Sequence, residues 1–254
     1  SITKDWKLPL KLVCKALLPS NMTHHYTCGI AAAECYFGSK VVQAGDYKLI
    51  PNAIEVERFT YNEKVRSEMR KKHNLEDKHV IGHVGRFMAQ KNHTFLIDVF
   101  AEYVKQDDKA QLVLLGDGEL MDTVKQKVKE REIEKHVTFV GNVGNANEWY
   151  QAFDCFVLPS IWEGLPVVGV EAQAADLPCI FSDNVTKEIG FSDKAQFISL
   201  DANKSVWTDA FKKALADTER KDATDLIVKN NYDIKTEAIK LQNAYLELAG
   251  EKFQ

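Results

Sequence analysis

Short apolar runs alternate with amphipathic stretches along most of the chain, beginning at about residue 45. The apolar runs predict strands at Tyr47–Pro51, His79–Val84, Gln111–Leu115, His136–Val140, Cys155–Leu158, Pro178–Phe181 and Gln196–Leu200. The stretches with apolar residues at helical spacing predict helices at Asn62–His73, Asn92–Lys105, Glu119–Glu132, Asn147–Ala152, Pro166–Ala175 and Lys204–Thr218. Asn92 and Asn203 are predicted N-cap residues. Strands that alternate with helices in this way are typical of βαβ units. The pattern therefore predicts an α/β fold, a Rossmann-like doubly wound parallel sheet with helices on both faces.

The two ends of the chain depart from this alternation. Residues 1–44 contain one predicted strand, His24–Cys28, and one predicted helix, Ile30–Phe37. A single strand and helix do not bury their own apolar surface, so this region must pack on the main domain or on something that is missing. Lys221–Lys252 has the pattern of one or two amphipathic helices. We therefore divide the chain into a short region, 1–44, and a main domain, 45–254.

The composition is that of a globular protein and argues against several functional classes. Hydrophobic residues make up 45% of the 254 residues, and the net charge of -4 argues against a dedicated nucleic-acid binder. No apolar run is long enough for a transmembrane helix, and no secretory signal opens the chain. The five cysteines form no C-x-x-C pair, so we expect reduced thiols and a cytoplasmic protein rather than disulfides or a zinc site.

The segment Lys4–Leu18 mixes lysines with Trp6 and several leucines. Segments of this composition bind anionic membrane surfaces, which would place the protein peripherally at the inner face of a membrane. The alternative is a surface helix packed on a domain, and Pro9 interrupts any long amphipathic helix. The sequence leaves both interpretations open.

Two carboxylates, Glu163 and Glu171, flank a Gly-Leu-Pro turn and an apolar stretch. Pro166 fits the first turn of a helix, so Glu163 is expected in the loop before that helix and Glu171 on it. The free backbone N–H groups at the helix start and the two carboxylates would then face one elongated polar ligand. Glu163 could accept hydrogen bonds from hexose hydroxyls, and Glu171 could accept two from a ribose diol. The alternative is a surface acid pair. An ionised Glu171 amid valines needs a partner, which weakens that alternative.

Polar residues also follow three predicted strands. Gly85-Arg86 directly follows one strand, and Lys91 and the predicted N-cap Asn92 come shortly after. A guanidinium, an ammonium and a helix start at one strand end suit a diphosphate, although solvated loop cations are an equal alternative. Gly116-Asp117-Gly118 lacks the third glycine of a dinucleotide-binding loop and is interpreted as a tight strand-to-helix turn. The Gly/Asn turn after Phe139 either reads a nucleobase edge with its backbone or is a loop that needs positive φ.

These motifs together resemble those of glycosyltransferase family 4. The pair Glu163 and Glu171 is similar to its E-x7-E motif, and Gly85-Arg86 with Lys91-Asn92 is similar to its diphosphate motif. Further segments match in order and spacing, namely Leu49–Ile54, Leu114–Gly118 and Phe139–Gly141. The resemblance covers about residues 25–250 and is nearest to bacterial capsular and exopolysaccharide transferases.

The resemblance implies a GT-B fold, in which an amino-terminal domain binds the acceptor and a carboxyl-terminal domain binds the nucleotide-sugar. Residues 45–254 would be the donor-binding half, and residues 1–44 a remnant of the acceptor domain. The implied reaction is retaining transfer of a hexosyl group from a nucleoside-diphosphate sugar, with UDP favoured, to a glycan or lipid-linked acceptor of a surface polysaccharide. Because most of an acceptor domain is missing, this fragment is expected to bind donor without turnover.

The resemblance also implies a role for each motif. Arg86 and Lys91, beside Gly85, would stabilise charge on the departing diphosphate, so no metal or other cofactor is expected. Glu163 would hold the hexose and Glu171 the ribose. Backbone groups would complete the site at Gly164, Leu165, Pro166 and Val167 for the hexose, and at Val140, Gly141, Asn142 and Val143 for the base. Two alternatives stay open, a nucleotide-sugar 2-epimerase of the same architecture and a non-catalytic nucleotide-sugar-binding subunit.

Overall fold

The computed structural model describes residues 23–250, which form two compact units. The larger unit is Ala53–Thr236, and the smaller one combines residues 23–52 with residues 237–250. These limits differ from the division after residue 44 that the sequence suggests. The assignment of an acceptor remnant and a donor domain stays a prediction. The proposed membrane segment, Lys4–Leu18, lies outside the described residues.

The predicted elements occur in the predicted order, and the structure adds two short helices, Ser39–Ala44 and Val56–Phe59, that the sequence pattern does not predict. The strands are β1 (Tyr26–Thr27), β2 (Lys48–Leu49), β3 (His79–Val84), β4 (Ala110–Leu115), β5 (Val137–Gly141), β6 (Cys155–Leu158), β7 (Cys179–Ser182) and β8 (Ala195–Ile198). The first helices are α1 (Ile30–Phe37), α2 (Ser39–Ala44), α3 (Val56–Phe59), α4 (Glu63–Lys72), α5 (His93–Val104) and α6 (Met121–Glu130). The remaining helices are α7 (Ala146–Ala152), α8 (Val167–Ala174), α9 (Lys204–Ala216), α10 (Thr224–Lys229) and α11 (Ile234–Ala249). Short 3-10 turns occupy Ala89–Lys91, Glu134–His136 and Lys187–Ile189.

The sheet of the larger unit is parallel throughout and has the strand order β5-β4-β3-β6-β7-β8. The chain builds outward from β3 in one direction and then returns to add β6, β7 and β8 on the other side. This reversal beside β3 is the topological switch point of a doubly wound sheet. The predicted α/β, Rossmann-like fold is therefore confirmed.

The sheet is buried on both faces because its strands carry apolar residues at successive positions. Along β3, Val80 contributes to one apolar layer and Ile81 to the other. Along β4, Val113 and Leu114 divide in the same way. Since successive side chains of a strand point to opposite faces, such a continuous apolar run requires helices on both sides.

The two asparagines predicted as N-caps behave differently. The side chain of Asn203 accepts a hydrogen bond from the backbone N–H of Ser205 at 3.1 Å and caps α9 as predicted. Asn92 occupies the predicted N-cap position of α5, but its side chain makes no capping bond. Asn92 ends the 3-10 turn Ala89–Lys91 in a left-handed conformation with φ of 57°. Its backbone carbonyl, rather than its side chain, accepts from the N–H groups of Phe95 and Leu96.

Candidate functional site

The carboxyl ends of β3 and β6 meet at the switch point of the sheet, where doubly wound proteins bind their ligands. Gly85 and Arg86 directly follow β3, and the loop from Pro159 to Glu163 follows β6. The motifs that the sequence singled out on these two strands are therefore neighbours at one edge of the sheet.

A cavity of about 490 Å³ opens at the carboxyl ends of β3, β4 and β5. Five residues predicted for the site line this cavity: Gly85, Arg86, Gly141, Asn142 and Val143. Val140 is half-buried and packs on an apolar cluster beneath them. The volume suits a nucleotide-sized ligand, because typical small-molecule sites measure roughly 300–1,000 Å³.

Gly116, Asp117 and Gly118 form the tight turn that the sequence predicts, and they also line the cavity. Gly116 has φ of 128°, and a Cβ atom there would lie 2.1 Å from the carbonyl oxygen of Gly85. The N–H of Gly85 donates to the carbonyl of Leu115 at 3.0 Å, and the N–H of Gly116 donates to that of Gly141 at 2.8 Å. The three turns that surround the cavity are thus joined through their backbones, and glycine at 116 permits their close approach.

Arg86 is exposed, and its side chain makes no hydrogen bond or ion pair with any residue between 23 and 250. Its five N–H donors have a fixed planar arrangement that matches a phosphate or carboxylate group. An unpaired guanidinium beside a polar cavity is therefore available to an anionic ligand.

Lys91 and Glu163 form an ion pair, with the Lys91 Nζ atom 2.6 Å from Glu163 Oε1. Both side chains are largely buried, at 14% and 11% exposure. The sequence assigned the two groups to different parts of a ligand and did not predict that they pair. The ion pair joins the turn after β3 to the loop after β6, and so spans the switch point.

Three residues that the sequence analysis did not select hold this loop in place. The Ser160 hydroxyl donates to Glu163 Oε1 at 2.9 Å, and the buried Ser182 hydroxyl donates to the carbonyl of Ser160. Gln90 accepts a bond from the N–H of Ile161 and donates its side-chain amide to the carbonyl of Trp162. Serine and glutamine are common at strand ends and in turns, so no local pattern distinguishes these three residues from others.

The helix α8 begins where the sequence suggests, but Pro166 is its N-cap residue rather than part of its first turn. The first N–H groups of a helix have no intrahelical acceptor, so those of Val167 and Val168 are available to a ligand. Gly164 is exposed and Leu165 is half-buried in the same loop. The loop and the helix start thus offer backbone donors directly after Glu163.

Glu171 lies on α8 and is half-buried, as its apolar neighbours predict. The partner that its burial requires is Tyr150, whose hydroxyl donates to Glu171 Oε2 at 2.8 Å. Burial raises the pKa of the Glu171 carboxyl, against the opposing effects of the Tyr150 hydrogen bond and the positive charge of Arg58. Tyr150 is fully buried, and nothing in the sequence around it indicates that it contacts Glu171.

Substituting glutamine for Glu171 is expected to stabilise the fold at pH 7 and to weaken nucleotide binding. The pKa of this carboxyl is raised in the folded protein, so its ionisation opposes folding as the pH rises past the pKa of the unfolded chain. Glutamine accepts the Tyr150 bond without the buried charge. In the ribose-binding role that the motif resemblance implies for Glu171, glutamine would bind the diol about tenfold less well. Melting temperatures at pH 7 and pH 4 and titration with UDP check both effects. We expect the melting temperature of the variant to exceed that of the parent by more at pH 7 than at pH 4. The opposite order contradicts this account.

Two buried histidines, His83 on β3 and His93 at the start of α5, lie beneath the diphosphate motif. Their ring centroids are 4.6 Å apart, and the His93 ring stacks on Phe87. The His83 Nδ1 atom lies 2.9 Å from the carbonyl of Val157, whereas its Nε2 atom and both ring nitrogens of His93 have no partner among the described residues. Burial lowers the pKa of His83 well below its usual value and that of His93 to about 4, and the charge of Lys91 lowers both further.

This histidine pair is expected to make the fold less stable in acid. The unfolded chain takes up protons near pH 6.5, whereas folded His93 resists protonation down to about pH 4, so the free energy of unfolding falls as the pH drops through this range. The loss is about 1 kcal/mol per pH unit for each histidine. Urea denaturation of the parent and of His93→Phe at pH 7.5 and 5.5 measures it. Equal losses in the two proteins would show that His93 carries none of the effect.

No group of three or more histidine, cysteine, aspartate or glutamate side chains between residues 23 and 250 is arranged to hold a metal ion. In the same part of the chain, no helix is both long and apolar enough to span a membrane.

Comparison with known proteins places this site in a family. The model of the group 1 glycosyl transferases matches residues 65–231, which is more than half of the chain and includes every predicted site residue. The chain belongs to the group 1 glycosyl transferases. The resemblance that its motifs suggested is thereby confirmed.

Two relatives are glycosyltransferases by name and match this chain over part of their own length. EpsF of Bacillus subtilis strain 168, which bears a provisional glycosyltransferase name, is 34% identical over 95% of this chain and 64% of its own length. An Escherichia coli enzyme named UDP-Gal:alpha-D-GlcNAc-diphosphoundecaprenol alpha-1,3-galactosyltransferase is 32% identical over 53% of this chain and 36% of its own. The chain therefore spans less than two thirds of the curated relatives it matches.

A solved structure, that of HepE from Anabaena in complex with UDP, has the same fold. It superposes with a TM-score of 0.78 over 97% of this chain and 70% of its own, at 18% identity. At this identity the likeness concerns the fold, and it supports the switch-point architecture described above.

Proposed function

We propose that this chain is the donor-binding part of a retaining glycosyltransferase. The enzyme transfers a hexosyl group from a nucleoside-diphosphate sugar, with UDP as the favoured nucleotide, to a glycan or lipid-linked acceptor of a surface polysaccharide. The observation that carries the proposal is the Lys91–Glu163 ion pair at the switch point, close to a cavity that Arg86 and the turns after β3, β4 and β5 line.

The arrangement gives each part of a nucleotide-sugar a partner. Arg86 is unpaired among the described residues, and Lys91 supplies a second cation for the diphosphate. Glu163, next to the free N–H groups at the start of α8, accepts hydrogen bonds from hexose hydroxyls. Glu171 has one oxygen on Tyr150 and can offer the other to the ribose diol. The turn Val140–Val143 flanks the base.

The chemistry requires charge stabilisation at the leaving group. When the bond between the anomeric carbon and the diphosphate oxygen breaks, negative charge grows on the diphosphate. Arg86 and Lys91 are positioned to stabilise that charge, which favours the transition state over the bound donor. These two cations supply the role that a metal ion fills in other transferases, so no metal is included in the proposal.

The relatives support the choice of donor and acceptor. The solved HepE structure holds UDP, and the Escherichia coli relative is named for UDP-galactose and a diphosphoundecaprenol-linked sugar. Both names point to uridine as the nucleoside, and the second points to a lipid-linked acceptor.

Transfer assays on the full-length protein test the proposal. We expect incubation with UDP-hexoses and a diphosphoundecaprenol-linked sugar to give a product whose anomeric configuration matches that of the donor. Product analysis with donor alone separates this reaction from epimerisation. An inverted product would contradict the retaining mechanism. Absence of any transfer from UDP-, GDP- and ADP-hexoses would contradict the proposal as a whole.

The substitution Glu163→Gln is expected to affect binding of the nucleotide and binding of the hexose differently. Without the carboxylate, Lys91 no longer has a competing anion, so free UDP binds as tightly as in the parent or several-fold more tightly. The hexose of UDP-hexose loses a hydrogen-bond acceptor, so UDP-hexose no longer binds more tightly than free UDP. Calorimetric titrations with UDP and with UDP-hexose measure both effects. Equal weakening of the two ligands would place Glu163 outside the hexose site.

A further inference from the structure

The loop after β6 presents two apolar side chains to solvent directly beside the site. We propose that Trp162, together with Ile161, forms a stacking surface for a sugar ring of the acceptor. This inference rests on the proposed function and adds an acceptor contact that lies on the donor-binding part of the enzyme.

Trp162 is unusual among the tryptophans that the structure describes. It is 62% exposed, whereas Trp149 and Trp207 are buried at 3% and 0%. Its neighbour Ile161 is 44% exposed, so two successive apolar side chains of this loop are open to solvent. A single exposed apolar residue needs no explanation, but a tryptophan and an isoleucine together at the edge of a polar site favour a binding role.

The backbone beneath these side chains is held on both sides. The N–H of Ile161 donates to the carbonyl of Gln90 at 2.8 Å, and the Gln90 side-chain amide donates to the carbonyl of Trp162 at 3.0 Å. The next residue, Glu163, is fixed by Lys91 and Ser160. The exposure of Trp162 is therefore not that of a loose loop tip. Because the backbone is already held, binding does not have to order the loop, and this favours affinity for a weak ligand.

The chemistry of the surface matches a pyranose ring. One face of a hexopyranose presents several C–H groups with slight positive charge, and the face of an indole ring is negative. Stacking the two buries apolar area on both partners and leaves the sugar hydroxyls at the rim. The Gln90 amide and the Lys91–Glu163 pair next to Trp162 provide a polar rim of this kind. Small-ligand sites commonly combine aromatic walls with a few polar groups in this way.

The position of Trp162 next to Glu163 favours the acceptor sugar as its ligand. Trp162 precedes Glu163, which the proposed function places on the transferred hexose. The acceptor sugar must bring its hydroxyl to the anomeric carbon of that hexose, so its ring lies within reach of the same loop. A membrane surface would also cover an exposed tryptophan, but the loop contacts the turn that carries Lys91 and is part of the transfer site.

The experiment uses the full chain, labelled with ¹⁵N, in the presence of saturating UDP. Methyl glycosides of glucose, galactose and N-acetylglucosamine are titrated while the indole N–H resonances are followed. We expect at least one glycoside to shift the Trp162 resonance and to leave those of Trp149 and Trp207 in place. Trp162→Ala should weaken that glycoside about tenfold, and Trp162→Phe should retain most of the affinity. UDP affinity should be unchanged in both variants, which shows that they are folded.

Three results would overturn the inference. The first is glycoside binding of equal strength in the parent and in Trp162→Ala. The second is the absence of any glycoside shift while UDP still binds. If sedimentation with anionic vesicles then depends on Trp162, a membrane surface and not a sugar is its ligand. The third is glycoside binding that Glu163→Gln abolishes and Trp162→Ala does not, because this would place the sugar in the donor hexose site. Failure of UDP, GDP and ADP to bind at all would instead contradict the proposed function.

Discussion

Replacing Lys91 with methionine is expected to weaken UDP binding by about 100-fold, because the variant loses a charge-assisted contact to the diphosphate. The same substitution leaves Glu163, which is 11% exposed, as a buried carboxylate without its cation. Breaking a buried ion pair from one side costs about 3 kcal/mol of folding stability. Calorimetric titration with UDP and urea denaturation measure the two losses separately.

A double variant distinguishes binding from folding. In Lys91→Met with Glu163→Gln, no buried charge is left unpaired, so we expect most of the stability to return while UDP affinity stays low. Lys105→Met is the matched control, because Lys105 lies just after the other end of α5 and pairs only with the exposed Glu102. The account is wrong about Lys91 if the double variant recovers UDP binding, or if Lys105→Met weakens UDP as much as Lys91→Met does.

Gly116→Ala is expected to lower both stability and nucleotide affinity, although it adds one methyl group. The residue has φ of 128°, and its new Cβ atom would lie 2.1 Å from the carbonyl oxygen of Gly85. Backbone atoms cannot move aside as a flexible side chain can, so the turns after β3 and β4 must separate. We expect a loss of about 3 kcal/mol in the free energy of unfolding, from backbone strain and steric overlap together. Displacement of Arg86 then weakens UDP binding as well.

Gly144→Ala is the control for this prediction. Gly144 follows β5 near the same cavity, has no positive φ, and a Cβ atom there would meet nothing within 4 Å. Its substitution should leave stability within about 0.5 kcal/mol of the parent. Urea denaturation and UDP titration of both variants test the contrast. Equal behaviour of Gly116→Ala and Gly144→Ala would show that the turn at Gly116 is not constrained as described.

Much of the fold follows from the sequence because buried parallel strands leave a strong local pattern. The predicted bounds of β3 and β6 agree with the structure, and both strands are central in the sheet with apolar residues facing both layers. The bounds of β8 differ more, because this strand lies at the edge of the sheet and its first three residues are only half-buried. Asn92 shows the limit of local rules, since a 3-10 turn that ends at the helix start replaces the expected side-chain cap.

The sequence offers candidates for the site where a residue type alone indicates its chemistry. Arg86, Lys91, Glu163 and Glu171 carry charges at strand ends or in an apolar helix, so each has few interpretations. The pairing of Lys91 with Glu163 could not be predicted, because the two residues are distant in sequence and only the adjacency of β3 and β6 brings them together.

Residues whose role depends on tertiary contacts were not found in advance. Tyr150 lies on a short helix 21 positions before Glu171 and contacts it through one hydroxyl. His83 and His93 are separated by nine positions, and only the packing of β3 against α5 makes them a buried pair. Ser160 and Gln90 are ordinary loop residues until the two loops are seen to share hydrogen bonds.

Hydrogen–deuterium exchange of the chain with and without UDP, GDP and ADP tests the central claim most directly. The account predicts that at least one of these nucleotides, and UDP first among them, slows exchange in three turns together: Gly85–Phe87, Gly116–Gly118 and Gly141–Val143. The opposite edge of the sheet, including residues 108–110 and 193–195, should exchange at an unchanged rate. Protection confined to other regions, or no protection by any of the three nucleotides in a folded protein, would contradict a nucleotide-sugar site at the switch point.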